Sequence, residues 1–285
     1  MSYTTLVEPG DLFAHLSDPG WVAVDCRFDL ADPAAGARRY AEGHIPGARY
    51  AHLDDDLSDP ITPTTGRHPL PGPGRFAQRL GQWGIDGASQ VVAYDDANGG
   101  MAARLWWLLR WVGHSRVAVL NGGLRAWRAA GYPLSEQPPA VTPRVFTPHL
   151  DPRMLLDVDA VASELAARRI ALVDARPADR FAGRNETYDP VAGHIPGARN
   201  HPFQRNVDAA GRFLPVEQLR EAWRPTLAGS PGERVVSMCG SGVTACHNLL
   251  ALEIAGTHGA RLYPGSWSEW IRDPARPVAT GDDGD

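Results

Sequence analysis

The chain has 285 residues, 43% of them hydrophobic and 21% charged, with a formal net charge of -5 at pH 7. That balance excludes wholesale disorder and a strongly basic nucleic-acid surface, while the length admits one large domain or two of ordinary size. No stretch is long and apolar enough to span a bilayer, and the opening residues lack a signal-peptide pattern, so a cytoplasmic location is expected.

In chain order, VAVD at 22–25 is the first β-branched run of strand type, and GHIPGAR follows it at 43–49. Runs at 91–94 and 117–120 predict two more strands, with a helix between them over 102–112 that stops at Gly113. The same order then returns. ALVD at 171–174, a second GHIPGAR at 193–199, VVSM at 235–238, a helix over 243–255 ending at Gly256, and a strand at 261–263 repeat the first half. LNGGLRAW at 120–127 and YPGSWSEW at 263–270 close the two halves in the same way. A seven-residue identity within a conserved order marks a tandem duplication.

Strands alternating with helices predict α/β units built on mainly parallel sheets with helices on both faces. Between them, the stretch from Pro133 to Pro152 holds six prolines and little periodicity, so it reads as an extended linker. The expected division is a first domain over 1–133, a linker over 134–151 and a second domain over 152–285. The halves differ at one telling position, because Asp95 ends its strand where Cys239 ends the equivalent one.

In an open parallel sheet, ligands bind beyond the carboxyl ends of the strands, and Cys239 stands at such an end. Gly240, Ser241, Gly242 and Val243 are small enough for the backbone to curl around the sulfur before a helix starts near Thr244. Inward N–H groups and the positive helix end stabilise an anion, and the thiolate is the nucleophilic form of cysteine. The competing reading of any free cysteine is a buried structural one. Cys26 and Cys246 keep that reading, since neither precedes a glycine-rich loop. With three cysteines and no CxxC pair, neither a disulfide framework nor a metal site is expected.

CGSGVTA at 239–245 resembles the active-site loop of the 3-mercaptopyruvate sulfurtransferases of the rhodanese superfamily. The tandem GHIPGA motifs, a cysteine in the second half only and YPGSWSEW extend the resemblance over nearly the whole chain. It implies two tandem rhodanese domains and a Cys239 that takes sulfur from 3-mercaptopyruvate as a persulfide, releasing pyruvate. A thiol, a reduced thioredoxin-like protein or cyanide then removes that sulfur, with no cofactor and no metal, nucleic acid or membrane partner.

Thiosulfate sulfurtransferases of this superfamily carry basic residues after the cysteine, and here the positions hold Gly240 and Ser241, which favours 3-mercaptopyruvate and leaves thiosulfate as the alternative donor. The resemblance further implies that Ser241 works with a histidine, matched to His68 in GRHPLP, and an aspartate. That aspartate falls among Asp54, Asp55 and Asp56, and Asp54 is the assignment taken. For Ser241 a fit to the tight loop, and for His68 a solvated ring, are the bland readings. Gly240, Gly242, Val243 and Thr244 would line the donor.

Arg180, in ADRFAG, matches a substrate-binding arginine, since a guanidinium grips a carboxylate with paired hydrogen bonds. The family has a second arginine further along this loop, but NETYDPVAG at 185–193 contains none, so Arg184 is the substitute, with a solvated surface role as its alternative. His44, His194 and the pairs Asp25–Arg27 and Asp174–Arg176 occur in both halves and are read as scaffolding. A rhodanese-fold phosphatase would need an arginine at Ala245, which argues against that class. A non-enzymatic persulfide- or anion-binding regulatory module is the remaining rival.

Overall fold

The computed structural model describes residues 2–282 and divides into two compact units. Unit 1 comprises Met1–Asp59, Leu70–Asp151 and Asp208–Phe213, and unit 2 comprises Pro60–Pro69, Pro152–Val207 and Leu214–Asp285. Each holds one wholly parallel sheet flanked by helices.

In unit 1 the strands are β1 (Leu6–Val7), β2 (Trp21–Asp25), β3 (Arg49–Tyr50), β4 (Gln90–Tyr94) and β5 (Val117–Leu120), ordered β1-β5-β4-β2-β3. The central strand β4 is buried at every residue, as expected of a parallel strand covered on both faces. The helices are α1 (Pro9–Ala14), α2 (Ala35–Glu42), α3 (Pro73–Gln82), α4 (Ala102–Trp111) and α5 (Gly123–Ala129). Helix α4 is the predicted crossover between β4 and β5, and Gly113 stands beyond it with φ 86°.

In unit 2, α6 (Val158–Ala166), β6 (Ala171–Asp174), α7 (Ala178–Phe181), β7 (Arg199–Asn200), α8 (Val216–Leu227), β8 (Val235–Met238), α9 (Ala245–Ala255), β9 (Arg261–Leu262) and α10 (Ser266–Trp270) follow in order. The sheet runs β7-β6-β8-β9, and a single parallel bridge from Leu155 to Leu262 stands where unit 1 has the pairing of β1 with β5. The long predicted strands and both crossover helices are present. The two-residue strands β1, β3 and β7 were not foreseen, because two residues carry no period that sequence can show.

The duplicated residues make duplicated contacts. Arg27 Nη2 donates to Asp25 at 2.6 Å and to the Gly43 carbonyl at 2.8 Å; Arg176 Nη2 donates to Asp174 at 2.7 Å and to the Gly193 carbonyl at 2.8 Å. All four side chains are buried, so each pair ties a strand end to the turn that opens GHIPGAR. His44 and His194 are fully buried, with Nδ1 2.8 Å from the carbonyls of Tyr40 and Phe181. From Glu136 to Asp151 the chain forms no helix or strand, and it is pinned to unit 1 where Arg144 N–H donates to Gly81, His149 N–H to Val112 and Asp151 N–H to Trp111.

Unit 2 also buries a polar cluster. His201 stacks on Trp223, with Nδ1 3.0 Å from Thr226 Oγ1 and Nε2 3.1 Å from Asn206 Oδ1. Burial, reinforced by the charge of Arg205, pushes this imidazole down from 6.5 to about 4. The neutral ring is therefore the folded form, and protonation favours unfolding. Stability is expected to be full above pH about 6.5 and to fall by about 3 kcal/mol as pH drops towards 4. In His201→Gln that slope should flatten when stability is followed by urea unfolding across the range; an unaltered slope would clear His201.

Candidate active site

Strand β8 ends at Met238, and Cys239 follows it at the carboxyl end of a strand paired on both sides. Its sulfur accepts the Gly242 N–H at 3.1 Å. The chain can make that turn because Gly242 holds φ +78°, and a Cβ there would lie 2.2 Å from the Pro264 carbonyl oxygen. Only glycine fits. Helix α9 begins at Ala245 with Thr244 before it, so the sulfur loop leads directly into a helix N-terminus.

The loop is held from the side of the YPGSWSEW motif. The Cys239 N–H donates to Ser266 Oγ at 3.1 Å, while the carbonyls of Cys239 and Gly240 accept from the N–H groups of Trp267 and Ser268 at 3.0 and 2.9 Å. Ser266 stands at φ 55°, a conformation that costs a non-glycine residue roughly 1–3 kcal/mol and clusters at functional sites. Sequence reasoning missed Ser266 as a support, though the repeated motif signalled it.

Cys239 is 2% exposed, and Gly240, Ser241, Gly242 and Val243 are buried with it. His68 belongs to the segment Pro60–Pro69 of the same unit, and its Nδ1 lies 2.7 Å from Ser241 Oγ. Both side chains are buried, so the His68 ring is not solvated, and the Ser241 hydroxyl meets it inside the unit.

Arg180, on α7, directs its guanidinium at Glu186, with Nη2 at 2.8 Å from Oε1, and at Asp189, 3.4 Å from Oδ2. Arg67, which sequence reasoning did not single out, donates to the other oxygen of Asp189. A Cβ on Gly240 would meet Arg67 Nη2 at 2.9 Å and Arg180 Nη2 at 3.5 Å, so two guanidiniums converge on the backbone next to Cys239. Burial lowers the Arg67 guanidinium from its usual value, opposed by the charge of Cys239. The signal available in sequence was Arg67's adjacency to His68.

Two further expected residues, Arg184 and Asp54, are exposed. Arg184 is 57% exposed and pairs with Asp282 at 2.6 Å, so its guanidinium is engaged on the surface and takes no part in the Gly240 convergence. Asp54 is exposed in the turn after β3 in unit 1. Its neighbour Asp56 is buried, accepting the His52 N–H at 2.8 Å and pairing with Arg79 at 2.7 Å.

The equivalent loop of unit 1 contains its own anion. Asp95 is fully buried, and its carboxylate accepts the N–H groups of Ala97, Gly99, Met101 and Ala102 at 2.8–2.9 Å. A carboxylate there fills the cradle that a sulfur occupies in unit 2. Burial, with the charges of Asp25 and Asp95, pushes the Cys26 thiol well up, which disfavours its thiolate. Among the described residues, no three His, Cys, Asp or Glu side chains gather as a metal ion would require.

Tandem parallel-sheet units, one with a cysteine sulfur in a strand-to-helix loop and one with a carboxylate in its place, define a duplicated α/β protein whose two equivalent loops differ in chemistry. The chain belongs to the rhodanese-like family of sulfurtransferase enzymes, the Rhodanese-like domain profile matching residues 8–130 and 157–273. A probable 3-mercaptopyruvate sulfurtransferase of Pseudomonas aeruginosa is 51% identical over 284 residues, covering 99% of this chain and 100% of the relative. A putative thiosulfate sulfurtransferase of Mycobacterium tuberculosis is 40% identical over 261 residues, 90% of each chain. The solved 3-mercaptopyruvate sulfurtransferase of Leishmania major superposes with a TM-score of 0.84 at 32% identity, over 95% of this chain and 76% of that one. Among the described residues, no helix is long and apolar enough to cross a membrane.

Proposed function

We propose that this enzyme moves the thiol sulfur of 3-mercaptopyruvate to a thiol or cyanide acceptor through a persulfide on Cys239. The observation that carries this reading is the Cys239 sulfur accepting the Gly242 N–H at 3.1 Å, at the end of β8 and just ahead of α9. A negative sulfur is stabilised in that setting, and the same donors would cradle a persulfide. The thiolate attacks the donor's sulfur, the carbon–sulfur bond breaks, and its electron pair leaves as the enolate of pyruvate. Ser241 and His68, 2.7 Å apart, are suited to deliver the proton that turns this enolate into pyruvate. The acceptor nucleophile then attacks the outer sulfur and Cys239 leaves as thiolate.

Gly240, Gly242, Val243 and Thr244 line the donor in this reading, and Arg180 grips its carboxylate. Asp54 is assigned as the accompanying aspartate. By sequence the two repeats run over 1–133 and 152–285 with a linker over 134–151, and the segment Pro60–Pro69 of the first repeat joins unit 2; a reduced thioredoxin-like protein is one acceptor and the cytoplasm the location. Thiosulfate as donor is the second reading, favoured by two guanidiniums beside Gly240 and by the mycobacterial relative's name.

Mass spectrometry of the protein after incubation with each donor tests the persulfide, and catalytic efficiencies measured side by side decide the donor. A protein that never gains a sulfur atom, and makes no thiocyanate with cyanide, would instead be the non-enzymatic regulatory module. Arg180→Ala is expected to raise KM for 3-mercaptopyruvate about tenfold, the order of one lost charge-assisted contact. An unchanged KM would remove Arg180 from donor binding.

A further inference from the structure

We infer that Arg67 is the second donor-gripping arginine of this site and that Asp189 is its built-in counter-ion, which sets the site to a singly charged carboxylate donor. The inference rests on the reading that Cys239 carries sulfur. Residues 185–193, where the resemblance calls for a second arginine, supply two carboxylates instead, Glu186 and Asp189. The missing cation arrives from Arg67, whose backbone N–H is fixed on Ser268 Oγ at 3.0 Å and whose Nη2 is the atom nearest to a Cβ position on Gly240.

The two carboxylates differ in kind. Glu186 is locked: its oxygens accept from Arg180, from Arg176 at 3.3 Å, and from the N–H groups of Tyr188 and Asp189 at 2.9 and 3.1 Å. Asp189 spans the two converging guanidiniums, one oxygen on Arg67 and the other 3.4 Å from Arg180, with its side chain 3% exposed. It thus occupies the position that a ligand carboxylate would take between them. Three arginines (67, 176, 180) and three carboxylates (174, 186, 189) make this cluster neutral. A donor with one negative charge enters a field trimmed by Asp189, and a doubly charged one meets less attraction than two unmasked guanidiniums would offer.

The experiment compares wild type, Asp189→Asn, Arg67→Gln and Arg67→Lys, each with 3-mercaptopyruvate and with thiosulfate, and adds calorimetric binding of pyruvate. Asp189→Asn keeps the shape and removes the charge, so the thiosulfate-to-mercaptopyruvate ratio of kcat/KM should rise about tenfold. Arg67→Gln should raise KM for 3-mercaptopyruvate and weaken pyruvate binding about tenfold with little change in kcat, and Arg67→Lys should restore part of the loss. An ion pair that served only structure would be broken equally from either end, lowering both donors alike in both variants. That result, or an unmoved donor ratio in Asp189→Asn, would overturn the inference while leaving a persulfide on the wild-type protein. Failure of wild type to gain sulfur from either donor would instead bring down the sulfurtransfer reading and the inference with it.

Discussion

Cys239→Ser is expected to lower sulfur transfer by roughly a thousandfold or more with either donor, because the step it blocks has no substitute. A hydroxyl cannot accept sulfur to form a persulfide, and its oxygen is far less nucleophilic at neutral pH than a thiolate. The change leaves the loop otherwise supported: Gly242 still finds an acceptor, and neither the Cys239 N–H bond to Ser266 Oγ nor the bonds donated by the Trp267 and Ser268 N–H groups involve the sulfur. Loss of activity would therefore report chemistry and not unfolding, which circular dichroism of the variant would verify. Product formation with 3-mercaptopyruvate and thiosulfate, together with the mass of the intact protein, makes the measurement. Substantial residual transfer would mean that another group carries the sulfur.

Arg176→Met should produce the largest loss of stability, about 3–5 kcal/mol, by stranding a buried charge. Arg176 is 1% exposed and Asp174 is fully buried, with bonds at 2.7–3.2 Å between them, and Arg176 also reaches the Gly193 carbonyl, Glu186 and the Trp267 ring. Methionine fills much of the volume but leaves the Asp174 carboxylate short of its only counter-ion among these contacts. Urea unfolding should show a lower midpoint with an unchanged slope. Arg184→Met, at an exposed pair with Asp282, provides the control and should leave the unfolding midpoint nearly unmoved. Equal effects from the two substitutions would contradict the burial argument.

Most of the fold was legible because its signals are short-range. Each long strand is a run of four or five mostly apolar residues, each crossover helix stops at a glycine, and the repeated GHIPGAR gave the duplication without any contact being known. The loop that holds Cys239 was legible for the same reason: strand end, small residues and helix start are consecutive at 235–245. The duplicated Asp–Arg pairs and buried histidines followed from appearing in both halves. Bridge-length strands such as β7 carried no such pattern.

Sequence thus determined the order of elements, the duplicated plan and the place of Cys239 at a strand end before a helix, all fixed by interactions among near neighbours. Tertiary structure decided which charges meet. Arg67 and Asp189 are 122 positions apart and His68 and Ser241 are 173 apart, yet each pair is joined because residues 60–69 pack into unit 2. Arg184, by contrast, was near Arg180 in sequence but turned to Asp282. Ion-pair partners are chosen by burial and geometry across the folded unit, and no local pattern of residues encodes that choice.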